Sequence, residues 1–148
     1  MSAETAPASV LICTSCGARN RIRPNPTGVP TCGRCEQPLP WLVDATDASF
    51  DTEADASALV LVDLWAPWCG PCRFVSPILE ELSRDYRGRI KVIKVNVDDN
   101  PSTAQRYEAF SIPTIMVLRG GQPLDRIVGA LPKDQLVARL APHLSLAA

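Results

Sequence analysis

The sequence has almost no excess of charge of either sign. Its 148 residues include 15 Lys and Arg against 16 Asp and Glu, which gives a formal net charge of −1. Surfaces that bind nucleic acid or anionic membranes usually carry a basic excess, which this composition lacks. The chain also has no apolar run near the roughly 20 residues that span a bilayer. We therefore expect neither nucleic acid nor a membrane among its partners.

Two sequence signals are also absent. The N-terminus does not resemble a secretory signal, because the first basic residue is Arg19 and the apolar run at 10–12 is too short. We therefore expect a cytoplasmic protein, in which cysteine thiols stay reduced. The chain has no glycine-rich dinucleotide loop. We expect no bound nucleotide, and the electrons for any redox reaction must come from another protein.

What the sequence does contain is six cysteines in three Cys-x-x-Cys pairs. These pairs are Cys13 and Cys16, Cys32 and Cys35, and Cys69 and Cys72. The first two pairs have the separation of a four-thiolate zinc site. We predict that their four cysteines hold one structural Zn²⁺ in a closed tetrahedral site, which has no position for water and so no catalytic role. Two local disulfides, or a redox relay to Cys69, remain as alternatives.

The N-terminal part differs in composition from the rest of the chain. It is rich in proline, with Pro24, Pro26, Pro30, Pro38 and Pro40. It offers little to bury, so a metal would have to supply its folding energy. We predict a zinc-ribbon module with its linker at 1–42 and a main domain at 43–148. Four arginines against three acidic residues in 1–45 are too small an excess for a nucleic acid surface.

The main domain alternates between strand and helix patterns. Apolar runs predict strands at 59–66, 90–97, 114–118 and 124–128. The last two form a hairpin around Gly120-Gly121. Helical spacing of apolar residues predicts helices at about 75–86 with Pro77 inside, at 101–110, and around 136–140 with an interruption at Pro142. A weaker helical stretch lies between 47 and 57. This order predicts an α/β fold with a mixed sheet flanked by helices.

The third cysteine pair lies between a buried strand and the start of an amphipathic helix. A helix N-terminus presents free N–H groups and a positive dipole end, which favour a thiolate over a thiol. Cys69 is therefore predicted to attack a disulfide and Cys72, one turn later, to resolve the mixed disulfide. The alternative is a further zinc knuckle. Pro71 argues against it, because proline has no N–H to donate to a sulfur.

The motif Trp68-Cys69-Gly70-Pro71-Cys72 resembles the active-site loop of the thioredoxin family. The resemblance continues, in the family's order, through the segments at 62–66, 112–114 and 128–130 and covers residues from about 46 to 148. It implies the thioredoxin fold. With its added four-cysteine N-terminus the chain resembles the zinc-containing branch, often called thioredoxin 2.

The resemblance assigns roles to two charged residues. Asp63 lies in the middle of an apolar run, where burial of a carboxylate raises its pKa. By resemblance it accepts the proton of Cys72, and Lys94 is the lysine beside it. A buried carboxylate without catalytic duty and an exposed lysine at the end of a strand are the alternatives.

The resemblance also implies a docking surface for polypeptide substrates around the cysteines. Its residues are Trp68, Gly70, Pro71, Ile112, Pro113, Gly129 and Ala130. Pro113 matches a proline that follows a cis peptide bond in the family. Arg73 and Leu64 replace the Lys and Phe that the family often has, and neither change removes a reacting group. His143 is predicted to be a solvated side chain, neither ligand nor base.

The implied function is a cytoplasmic protein-disulfide reductase that an NADPH-dependent thioredoxin reductase returns to its dithiol form. We expect it to act as a monomer on protein disulfides. A redox-sensing interaction module, in which release of zinc switches binding, is a rival of another class. An oxidase or isomerase is a second rival, although Gly70-Pro71 resembles the reducing members more.

Overall fold

A computed structural model of the protein describes residues 9–22 and 29–145. Pro24 and Pro26, two of the prolines named in the sequence analysis, lie outside the described residues. The described strands are β1 (Ser9–Ile12), β2 (Arg19–Ile22), β3 (Trp41–Asp44), β4 (Leu59–Trp65), β5 (Ile90–Asn96), β6 (Thr114–Arg119) and β7 (Gln122–Val128). The described helices are α1 (Phe50–Ala54), α2 (Gly70–Asp85), α3 (Pro101–Arg106) and α4 (Lys133–Ser145).

The central sheet has five strands in the order β3-β5-β4-β6-β7. The strands β3, β5 and β4 run parallel to one another, whereas β6 and β7 are antiparallel to their neighbours. Strand β4 lies in the middle and is buried along nearly its whole length. Its Leu61 packs in one apolar cluster with α2 and α4, and Val62 packs in a second cluster on the opposite face. Coverage of both faces explains the uninterrupted apolar sequence of β4, and the predicted mixed sheet flanked by helices is confirmed.

The four-cysteine module lies against the edge of this sheet. Its strands β1 and β2 form an antiparallel pair. Leu11, Cys13 and Leu39 are buried in the same cluster as Trp41 of β3, so part of the core of this region is shared with the main domain. The predicted boundary between residues 42 and 43 falls inside β3, a strand that the sequence analysis did not predict. Where the chain divides into domains stays a prediction.

Two expectations for the C-terminal helix were wrong. Helix α4 continues through Pro142 to Ser145 instead of stopping there. Leu140 and Leu144, on either side of the proline, are both buried in the core, and this burial offsets the backbone hydrogen bond that proline cannot make. The His143 side chain is not freely solvated. It is 19% exposed, and its Nε2 lies 3.6 Å from an Asp125 carboxylate oxygen.

Helix α3 is shorter than predicted, since it ends at Arg106 rather than near residue 110. Glu108 adopts a left-handed conformation with φ of 51°, which is incompatible with a continuing right-handed helix. None of the four described helices combines the length and the apolar character that a membrane span requires.

A charged pair is buried under the edge of the sheet and was not predicted. Lys91 of β5 is fully buried, and its Nζ donates to Oε1 of Glu53 at 2.8 Å and to the Glu53 carbonyl at 2.7 Å. The same Nζ lies 4.4 Å from the centre of the Trp41 ring. Burial lowers the pKa of Lys91, and the Glu53 carboxylate opposes this shift. The pair satisfies a charge that would otherwise be costly to bury, and it links α1 to the sheet beside β3.

Candidate active site and four-cysteine cluster

The third cysteine pair lies at the beginning of α2, directly after the loop that follows β4. Cys69 occupies the N-cap position in an extended conformation, and its Sγ accepts a hydrogen bond from the N–H of Cys72 at 3.2 Å. Pro71 lies in the first turn, where its missing N–H has no helical partner to lose. Cys69 and Cys72 are joined by a disulfide, with the Cα atoms 5.3 Å apart.

The helix favours negative charge on the Cys69 sulfur. Helix α2 has 16 residues and no acidic side chain in its first turn, so no carboxylate neutralises the positive end of its dipole. A reduced Cys69 therefore has a backbone N–H donor and the helix dipole to stabilise its thiolate. This is the environment of a nucleophilic thiol.

Three separate segments meet around the outer side of this sulfur. The Cys69 Sγ lies 3.7 Å from the Ile112 carbonyl oxygen. The peptide bond between Ile112 and Pro113 is cis, as the resemblance implied, and the Pro113 carbonyl accepts from the Gly129 N–H at 2.9 Å. Trp68 is 70% exposed. Ile112 and Pro113, which precede β6, thus lie beside Cys69, and Gly129, which follows β7, is bonded to Pro113.

The other predicted docking residues differ in exposure. Gly70 and Pro71 are exposed, whereas Ala130 is half-buried and packs against the core. Sequence analysis did not single out Asp98, whose carboxylate accepts from Trp68 Nε1 at 3.0 Å. It also missed Phe110 and Val128, which are 86% and 54% exposed. Such exposed apolar side chains could have been suspected from their closeness in sequence to Ile112 and Gly129.

On the inner side, Cys72 lines a small cavity that also contains the predicted acid. The cavity has a volume of about 110 Å³, and its polar lining includes Asp63, Trp65, Ser76 and Lys94. Asp63 is 1% exposed, and neither carboxylate oxygen has a hydrogen-bond partner within the described structure. Burial raises the pKa of Asp63 to about 6, and the positive charge of Lys94 opposes part of the rise. A carboxyl group of this kind can exchange a proton near neutral pH.

Lys94 lies beside Asp63 in the sheet but does not form a hydrogen bond with it. The two residues are register partners in the parallel pair of β4 and β5. The Lys94 Nζ instead donates to Ser76 Oγ at 2.6 Å and lies 5.2 Å from the centre of the Trp65 ring. Ser76 was missed from the sequence. Ser76 follows Cys72 by four residues, and this spacing on a helix could have indicated that the two side chains lie on the same face of α2.

The other four cysteines form a compact cluster. Their Sγ atoms all lie within 4.8 Å of one another. The Cys13 and Cys35 sulfurs are 3.5 Å apart, and those of Cys16 and Cys32 are 3.6 Å apart. Zinc–sulfur bonds of about 2.3 Å put the thiolates of a tetrahedral site about 3.8 Å apart. The number, the chemistry and the closeness of these donors therefore fit a four-thiolate metal centre.

Two equivalent turns present these sulfurs. The Ser15 N–H donates to Cys13 Sγ, and the Arg34 N–H donates to Cys32 Sγ, both at 3.4 Å. Backbone N–H groups, above all that of Cys35, lower the pKa of Cys32 to about 6. Such donors stabilise thiolates, the form that binds a metal.

The cluster lies near the end of α2 that is remote from Cys69. Arg87, which follows the helix, donates to the Thr14 hydroxyl and to the Ser15 hydroxyl at 3.1 Å. The helix itself is about 24 Å long. This arrangement argues against direct disulfide exchange between the cluster and Cys69, the relay that the sequence left open.

Asp63→Asn is expected to stabilise the protein at neutral pH. The folded pKa of about 6 exceeds the ordinary value of 3.8, so the folded state loses stability as pH rises between these values. The difference corresponds to up to about 3 kcal/mol at pH 7. Urea unfolding should show this gain in the free energy of unfolding at pH 7 and little difference near pH 4, below the folded pKa.

The exposed carboxylate of Asp55 provides a matched control. Asp55→Asn should change the free energy of unfolding by a small and similar amount at both pH values. A destabilised Asp63→Asn protein, or a gain that is the same at both pH values, would contradict the account of a costly buried carboxylate.

Comparison with known proteins adds evidence independent of this geometry. Residues 41–142 match the family model described as Thioredoxin. The chain is 50% identical over 103 residues to the thioredoxins of Staphylococcus aureus strains Mu50 and MW2, which covers 70% of this chain and 98% of each relative. The family model leaves the four-cysteine cluster outside its limits. The chain therefore belongs to the thioredoxin family of protein-disulfide oxidoreductases.

Proposed function

We propose that this chain reduces protein disulfides, with Cys69 as the attacking sulfur and Cys72 as the resolving sulfur. The observation that carries the proposal is the difference between the surroundings of the two sulfurs. Cys69 Sγ caps α2 next to the exposed Trp68 and the Ile112 carbonyl. Cys72 lines the inner cavity that holds the Asp63 carboxyl.

In the first step the Cys69 thiolate attacks one sulfur of a substrate disulfide. A bond forms between Cys69 and that sulfur, the substrate disulfide breaks, and the second substrate sulfur leaves as a thiolate. The Cys72 N–H and the dipole of α2 stabilise the attacking thiolate before the reaction. Cys69 and the substrate then form a mixed disulfide.

In the second step Cys72 releases the substrate. Its thiol gives up its proton to the Asp63 carboxylate, and the resulting thiolate attacks Cys69 Sγ. The Cys69–Cys72 disulfide forms, the mixed disulfide breaks, and the remaining substrate sulfur leaves as a thiolate. Two electrons pass from the protein to the substrate. The pKa of Asp63 near 6 suits it to accept a proton at neutral pH, and the nearby charge of Lys94 prevents a still higher value.

The substrate polypeptide is proposed to dock beside the cysteine loop. The docking surface consists of Trp68, Gly70, Pro71, Ile112, Pro113, Gly129 and Ala130. Support comes from the contacts that bring Ile112 and Pro113 to Cys69 and Gly129 to Pro113. The Asp98 carboxylate holds the Trp68 indole by its Nε1, which orders an apolar side chain at the edge of this surface.

Electrons must reach the disulfide from outside the chain. The sequence has no glycine-rich dinucleotide loop, so we assign this role to an NADPH-dependent thioredoxin reductase, as in the family. We place the reaction in the cytoplasm, where such a reductase and a dithiol protein are compatible. A monomer suffices for it, because both reacting sulfurs and the proposed proton acceptor come from one chain.

The four-cysteine cluster is proposed to hold one structural Zn²⁺, which would place the chain in the zinc-containing branch of the family. Cys13, Cys16, Cys32 and Cys35 would be its ligands. Four thiolates leave no open position on the metal, so the site takes no part in disulfide exchange. Zinc would link the two Cys-x-x-Cys loops of this region.

Variants of the two reacting cysteines test the assignment of roles. Cys72→Ser should still attack an oxidised protein substrate but should not resolve the adduct, so mass spectrometry should detect a stable mixed disulfide on Cys69. Cys69→Ser should form no such adduct, and both variants should lose turnover. The double variant is the control, because any adduct it forms must involve the four-cysteine cluster. An adduct that accumulates in Cys69→Ser and not in Cys72→Ser would reverse the roles.

Elemental analysis tests the metal centre separately. The purified wild-type protein should contain one Zn²⁺ per chain, and Cys16→Ala should lose most of it, because three thiolates cannot complete the site. The Cys69→Ser/Cys72→Ser variant should retain the full amount. Zinc that survives in Cys16→Ala, or that is lost from the Cys69/Cys72 variant, would show that the ligands are assigned to the wrong cysteines.

A further inference from the structure

The ammonium group beside the buried carboxyl is held by a hydroxyl group. Lys94 Nζ donates to Ser76 Oγ at 2.6 Å, and the Trp65 ring lies on its other side, with its centre at 5.2 Å. The Asp63 carboxylate borders the same cavity and receives no hydrogen bond. The opposite charges therefore share a small cavity without direct contact.

Such a separation needs a cause, because a lysine side chain is long and flexible. Away from bulk water the attraction between an ammonium and a carboxylate is much stronger than in water. Among the described residues that line the cavity, it is Ser76 that accepts a hydrogen bond from the Lys94 ammonium. The Ser76 hydroxyl is fixed by α2, whose Val75 and Leu79 are buried in the core on either side of it.

We propose that Ser76 is a positioning residue, which holds the Lys94 ammonium on α2 and prevents it from closing onto Asp63 as a direct ion pair. The proposal deepens the proposed function, since it rests on Asp63 being the proton acceptor for Cys72. A carboxylate bonded directly to an ammonium is a weaker base. Ser76 thus keeps the Lys94 ammonium near enough to act on the Asp63 carboxyl through its charge. It also keeps the ammonium too far away to form a direct ion pair with that carboxylate.

Few other groups can influence Asp63 from the surrounding elements. On α2, Cys72 and the exposed Arg73 line the cavity, and the Arg73 guanidinium donates to the Pro67 carbonyl at 3.2 Å. Among the described residues of β5, Lys94 is the charged residue that lines the cavity. On β6 the register partner of Asp63 is Ile115, which is uncharged. Removal of the Ser76 hydroxyl therefore acts on Asp63 chiefly through Lys94.

The direct test is a titration of the Asp63 carboxyl by carbon NMR in the oxidised protein, in which Cys72 does not titrate. Ser76→Ala should lower the measured pKa by about one unit or more, the shift expected when an opposite charge moves into contact. Ser76→Thr should keep the wild-type value, because its hydroxyl can accept the same bond. Ser102→Ala, at an exposed serine of α3, is the matched control and should also titrate like the wild type.

Ser76→Val provides a second comparison with Ser76→Thr, since the two differ by a hydroxyl and have similar shape. It should lower the pKa of Asp63 as Ser76→Ala does. In a Lys94→Met background the loss of the hydroxyl should no longer shift the titration, because the effect passes through the ammonium. A wild-type pKa in both hydroxyl-free variants, or a shift that persists without Lys94, would overturn the positioning role.

The same variants separate this proposal from the proposed proton transfer. If Ser76→Ala shifts the titration while Asp63→Asn resolves mixed disulfides at the wild-type rate, Ser76 positions Lys94 but Asp63 is not the proton acceptor. If Asp63→Asn slows resolution while Ser76→Ala leaves the titration unchanged, Asp63 is the acceptor and the role of Ser76 is wrong.

Discussion

The buried carboxyl group of Asp63 is the constraint on which the site depends. It lies in the middle of β4, the central strand, where both faces of the sheet are covered and the Asp63 side chain is almost fully buried. Ionisation there is costly, and the same cost raises the pKa of the group towards neutrality. Because β4 also leads directly into the loop before α2, the strand that buries the acid positions the cysteines above it. The placement of Asp63 near the two cysteines therefore follows from the direct connection between β4 and the cysteine loop.

The cysteine sulfurs of this chain lie in two physically different environments. At Cys69 a helix terminus with a single backbone donor stabilises a sulfur that must react. In the four-cysteine cluster, backbone donors such as the Arg34 N–H support sulfurs that fit around a metal and would not react. The two centres lie towards opposite ends of α2, with the Arg87 contact at the far end. The fold thus keeps the two sets of sulfurs apart within one chain.

Most of the fold and the position of the candidate site could be predicted from local patterns. Cysteine spacing indicated both centres, and a carboxylate inside an apolar run indicated Asp63. What could not be predicted depends on contacts between distant segments. The pairing of Lys91 with Glu53 joins a strand to a short helix, and the bond from Lys94 to Ser76 joins a strand to α2. The course of α4 through Pro142 likewise depends on the burial of Leu144. Local propensity carries no information on such packing.

We propose that Asp63 takes the proton of Cys72 when the mixed disulfide is resolved. Rapid-mixing measurements of the decay of the mixed disulfide across pH test this most directly. In the wild-type protein the resolution rate should rise with pH around a midpoint near 6, the pKa of Asp63. In Asp63→Asn that rise should disappear, and the rate at pH 7 should fall by about a hundredfold. Coincident rate profiles for the two proteins would contradict the account.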